Sequence, residues 1–126
     1  MRHKQFHIIN NFRNAFHGIY LLIREGKIFR VHLLIMMAVI VAGIVFNIEK
    51  TEWLIVILTI GVVLAAEGFN TSIEKLSDHI APEYHPTIKK VKDIAAAAVL
   101  LASISSAVLG LLIFIPYLLD WIKGLS

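Results

Sequence analysis

The sequence predicts an all-α membrane protein: an N-terminal amphipathic surface helix followed by three transmembrane helices. Three observations carry this reading. The 126-residue chain is 58% hydrophobic, with a mean hydropathy of +0.78, above the apolar share of soluble domains. Its apolar residues gather in three long runs. Its twelve Lys and Arg mostly flank those runs, as in a protein that grips an anionic membrane surface. The whole reads as a single integral-membrane domain, 1–126, with the surface helix in 1–28 and spans at about 29–48, 53–77 and 93–119.

The surface helix is read from residues 5–25. Phe6, Ile9, Phe12, Phe16, Ile19, Tyr20 and Ile23 recur at spacings of three and four, the stripe of an amphipathic helix. Such a helix lies in the interface plane with its apolar face in lipid; packing of the stripe on protein is the alternative. The first span, "VHLLIMMAVIVAGIVFNI", is nearly uniformly apolar after His32 and reaches the roughly 20 residues that cross a bilayer. The second has an apolar front, 53–66, and a polar tail. The third, 94–119, is rich in Ala, Ser and Gly, which suits close helix packing in lipid. A tight loop is expected at 47–52. A longer connection is expected at 78–93, marked by Pro82, Pro86 and clustered charges.

Composition also excludes. With no cysteine, disulfides, Cys metal sites and Cys nucleophiles are out. No compact apolar run with a small-residue cleavage site opens the chain, so a signal peptide is not expected. The net charge of +3 is spread along span edges, which argues against a nucleic-acid partner. Basic residues concentrate before the first span and around 75–92, with Lys50 alone in the first loop. The positive-inside rule then puts the N-terminus and the second connection in the cytoplasm of a multi-pass inner-membrane protein.

The chemistry sits at the polar end of the second span. At roughly 100° per residue, Glu67, Asn70, Glu74 and Asp78 fall within about 80° of arc. Glu67 directly follows the uncharged stretch 53–66. An acid at that depth costs roughly 2.5–3.5 kcal/mol to insert and points to function. Glu67 is placed to accept a proton from a lipid hydroxyl. Glu74 and Asp78, one and two turns on, suit a hard cation such as Mg²⁺, which takes one or two carboxylates with phosphate oxygens. For those two the bland alternative is a helix emerging into water. The glycines form neither GxxxxGK nor GxGxxG, so a nucleotide needs another holder. Glu83, Tyr84, His85, Lys92 and Asp93 in the expected connection are candidates; a plain solvated connection with a helix starting at Asp93 is the simpler reading of that stretch.

The stretches "AEGFNTSIEKLSD", "PEYHP" and "KKVKDIAAAAVLLA" closely resemble the small bacterial integral-membrane lipid kinases, the diacylglycerol kinase and undecaprenol kinase family. Glu67, Asn70, Thr71, Ser72, Ile73, Glu74 and Asp78 match its pattern E-x-x-N-[ST]-[AS]-I-E-x-x-x-D. Lys92, Asp93, Ala95, Ala96, Ala98 and Val99 match a later element, and "GIYLLIREGKIFRVH" a third. The resemblance runs over about residues 12–116. It implies a homotrimer that uses ATP and Mg²⁺ to phosphorylate a lipid alcohol, diacylglycerol or undecaprenol, at sites shared between subunits. In that reading Glu67 is the catalytic base and contacts the lipid, and Glu74 is a metal ligand. Asn70, Glu74, Asp78, Glu83, Tyr84, His85, Lys92 and Asp93 line the nucleotide site. The family's second metal-binding acid falls on Gly26 here, so neighbouring Glu25 takes that role. His7 or Arg13 stands near the family's N-terminal phosphate contact. A non-enzymatic ion- or proton-conducting protein is the competing reading, but it needs polar residues continuing across the bilayer; the third span offers only serines 103, 105 and 106.

Overall fold

A computed structural model describes residues 2–124, with side chains from Asn10 onward. The side chains of Phe6, His7 and Ile9 lie outside the described residues. The described chain forms α1 (Arg2–Glu25), α2 (Lys27–Val45), α3 (Lys50–Ile80) and α4 (Pro86–Lys123). The last three are each long and apolar enough to cross a membrane.

Gly26 is the whole connection between α1 and α2. It is buried, and a side chain there would bring its Cβ within 2.6 Å of the Leu22 carbonyl oxygen. Only glycine allows so abrupt a break, which accounts for an acid at 25 and none at 26. Arg30 steadies the junction by donating to the carbonyls of Arg24 at 3.0 Å and Ile23 at 3.4 Å. On α1, Gly18, Leu21 and Leu22 line the groove against α3 together with the partly exposed Ile19 and Ile23, while Phe12, Phe16 and Tyr20 lie outside it and stay exposed. The described part of the predicted stripe is thus divided between the groove and the open surface.

At the other end, α2 and α3 meet through a tight turn. Asn47 takes φ 51°, a left-handed conformation that Asn tolerates. Glu49 caps α3 in a reciprocal box with Glu52. Ile48, Val56 and Ile113 form the buried cluster there, with Phe46, Trp53, Phe114 and Tyr117 packed on it. The Tyr117 hydroxyl donates to Glu52 Oε2 at 2.6 Å.

The principal packing is α3 along α4, antiparallel. Glu52 meets Tyr117, Val56 shares a cluster with Ile113, and Asp78 meets Lys92. These pairs hold one register: each step up α3 is matched by a step back along α4. The expected connection 78–93 is shorter than read, only 81–85. Pro86, read as a loop signal, is the first residue of α4, where its fixed φ and missing N–H suit a helix start. His85 caps it, Nδ1 accepting from the Thr87 N–H at 3.3 Å. Lys89, Lys90, Lys92 and Asp93 are thus helical, not in a loop.

Candidate active site

The acid row forms along α3 as its spacing requires. Glu67 is 4% exposed and Asn70 9%, both buried with Ser77 on one side of α3. Ala95 and Val99 are the buried residues in the first half of α4. Glu74 is half-buried and Asp78 exposed, so the row runs from the apolar layer to the surface. His32 on α2 and Glu74 are the ionisable groups that act on Glu67 electrostatically. The sequence marks His32 only as the polar edge of the first span and as a motif letter; which α2 residue faces α3 at that depth is not written in periodicity.

Above the row lies a hollow of about 360 Å³ between the end of α3, the 81–85 connection and the start of α4. Asp78, Glu83, Tyr84, His85, Lys92 and Asp93 all line it. Six of the eight expected nucleotide contacts are thus brought together, while Asn70 and Glu74 stand deeper on α3. Lys89 also lines the hollow, a residue the sequence reading did not assign. Its ammonium donates to Asp93 Oδ2 at 2.6 Å, and Lys92 donates to Asp78 Oδ1 at 2.9 Å. Two cations therefore face the hollow, each paired with a carboxylate that lines it too.

Glu25 has a partner that the sequence does not reveal. It pairs with Lys75 across α1 and α3. The Lys75 hydrogen bond and charge hold its carboxyl below the usual carboxylate range. An ammonium thus stands beside one oxygen of the acid expected to ligate a metal. Glu74, by contrast, has no hydrogen bond or ion pair among the described residues. No group of three or more His, Asp or Glu among them stands close enough to cage a metal. The Glu74 carboxylate is thus available to a cation that brings other oxygen ligands with it.

A second, apolar groove of about 850 Å³ separates α1 from α3, lined by Leu22, Phe29, Leu33, Leu64, Gly68 and Phe69 among others, with Glu25 and Lys75 at its polar end. Leu22 Cδ1 would lie 3.4 Å from a Cβ on Gly68, so α1 rides close to α3 beside the acid row.

The family described as prokaryotic diacylglycerol kinase matches residues 13–114. The chain belongs to that family. It is 37% identical to an undecaprenol kinase of Bacillus subtilis over 86% of this chain and 88% of that protein. It is 32% identical to a diacylglycerol kinase of Synechocystis over 90% of this chain and 65% of that protein. A diacylglycerol kinase of Helicobacter pylori is 33% identical over 65% of this chain and 63% of its own length. The matched span takes in the acid row, the hollow and both grooved faces of α3. Membership makes the chain a phosphotransferase, a membrane lipid kinase of the diacylglycerol and undecaprenol kinase type.

Proposed function

We propose that the protein uses ATP and Mg²⁺ to phosphorylate the hydroxyl of a membrane lipid alcohol at the cytoplasmic face of a bacterial inner membrane. The observation that carries this is the burial of Glu67 at the edge of an uncharged span, with a polar hollow lined by Lys89, Lys92 and their paired acids beyond it on the same helix pair. The lipid oxygen attacks the γ-phosphorus and its proton passes to the Glu67 carboxylate. The bond from phosphorus to the β–γ bridging oxygen breaks, and ADP leaves. Such transfer is mostly positioning and charge stabilisation. Asp78, Glu83, Tyr84, His85, Lys92 and Asp93 hold the nucleotide, with Asn70 and Glu74 beneath it. Glu74 would bind the Mg²⁺, which neutralises charge on the phosphates. Glu25, whose Oε2 pairs with Lys75, would offer Oε1 as a second ligand, with Lys75 adding positive charge beside it.

The acceptor is undecaprenol or diacylglycerol, the alcohols in the relatives' names. The undecaprenol kinase of Bacillus subtilis matches over more of its own length, which puts undecaprenol first in a substrate panel. The N-terminus and the 81–85 connection lie in the cytoplasm, supported by basic residues at that end. The exposed apolar stripe of α1 rests in the lipid interface. The chain works as a homotrimer with sites shared between subunits, supported by the small residues of α4. Purified protein in detergent, given radiolabelled ATP and a lipid panel, tests the reading. Label should enter the lipid alcohol only with Mg²⁺ present. No transfer to any alcohol would refute it.

A further inference from the structure

Three polar side chains within about one helical turn of depth stand without hydrogen-bond partners among the described residues. Asn70 Oδ1 and Ser103 Oγ are both buried and unbonded. Glu67, 4% exposed, has neither hydrogen bond nor ion pair. The α3–α4 register brings them to one level. Asp78 meets Lys92, and Glu67 precedes Asp78 by as many residues as Ser103 follows Lys92. The contacts at the far end, Val56 with Ile113 and Glu52 with Tyr117, place Ser103 opposite Glu67 to within one residue.

What sets Ser103 apart is that its Oγ is buried as well as unbonded, one of two such side-chain atoms among the described residues. A helical Ser or Thr can donate to a carbonyl one turn back. Thr59 donates to Ile55 at 3.0 Å, Ser72 to Gly68 at 2.8 Å and Ser105 to Leu101 at 2.9 Å. Ser103 has the Val99 carbonyl in the same relation and does not use it. A buried hydroxyl without a partner is unfavourable, the more so where no water competes, unless a guest completes it.

We infer that Ser103 is a further substrate-positioning residue, whose hydroxyl meets the lipid alcohol's hydroxyl beside Glu67. The inference rests on the lipid-kinase reading above. A base buried on α3 draws the reacting hydroxyl into that layer, where Asn70 Oδ1 and Ser103 Oγ are the two buried side-chain atoms without partners among the described residues. The guest donates its proton to Glu67. Ser103 donates its own O–H to one lone pair of the lipid oxygen and leaves the other free to attack phosphorus. Ser103 gains and loses no atom in the transfer.

The test compares Ser103→Ala, Ser103→Thr and Ser105→Ala in detergent or lipid discs, reading KM for the lipid alcohol, KM for ATP and the thermal midpoint. Ser103→Ala should raise the lipid KM by about threefold to tenfold, the worth of one hydrogen bond. Its ATP KM and thermal midpoint should stay at the parent values. Ser103→Thr, which keeps the hydroxyl, should restore the lipid KM, and Ser105→Ala should leave it unchanged. An unchanged lipid KM in Ser103→Ala would overturn the inference, because the hydroxyl would then make no contact with the lipid. An equal rise in Ser105→Ala would overturn it too. A parent enzyme without turnover of any lipid alcohol would instead overturn the functional reading, before any variant is compared.

Discussion

Lys92 Nζ lies 2.9 Å from Asp78 Oδ1, tying the first turns of α4 to the last turn of α3 across the hollow. The Asp78 side chain is 68% exposed and that of Lys92 35%. A pair this open adds little to stability; its consequence is placement of the ammonium. Lys92→Met should therefore leave the thermal midpoint nearly unchanged and raise the KM for ATP at least tenfold. A large loss of stability with an unchanged ATP KM would mark the pair as a structural tie.

Glu25 and Lys75 hold the end of α1 to α3, and the sign of their pH dependence follows from the lowered Glu25 pKa. The unfolded carboxyl titrates near about 4.3, and the folded one below it. The pair's contribution is fully present above that ordinary value and is lost as pH falls through the lowered one. A spin-label distance between α1 and α3 should hold steady from about pH 6 to pH 8 and lengthen only in acid. High salt should loosen the pair, because it is exposed. A distance that changes near neutral pH would assign the tether to another group.

Much of this was written in the sequence, and the failures have physical causes. Span number followed from apolar length, and the common face of Glu67, Asn70, Glu74 and Asp78 followed from helical spacing. The start of α4 was misplaced because Pro82 and Pro86 both read as turn signals, while a proline at the first helical position also favours a helix. The Lys75 partner of Glu25 and the Ser103 level with Glu67 were hidden. Both depend on the register between helices, which no periodicity within one helix records.

Gly43 tests the packing of α2 on α3. A Cβ there would sit 2.8 Å from the Trp53 ring, in a neighbourhood held by Ile48 and the turn. Gly43→Ala should destabilise by about 1–3 kcal/mol through overpacking, seen as a lower midpoint in denaturing-detergent titration. An unchanged midpoint would mean that Trp53 has room to move.

Shared sites are tested by mixing subunits. Glu67→Gln and Asp93→Asn chains, each strongly impaired alone, should regain part of the parent rate when refolded together, if Glu67 of one subunit serves the hollow of another. No rescue across several such pairs would confine each site to one chain, as the single-chain hollow allows.

The central claim is that Glu67 takes the proton of the lipid hydroxyl. Glu67→Gln keeps shape and removes the basic oxygen, and a positioned base contributes typically about 10²–10⁴-fold. The deciding measurement is the single-turnover rate of phosphate transfer to the lipid alcohol by Glu67→Gln, taken beside its ATP binding and its thermal midpoint. The account predicts a rate lower by about 10²–10⁴-fold with both other readings at parent values. A parent rate from a folded, ATP-binding Glu67→Gln protein would contradict it.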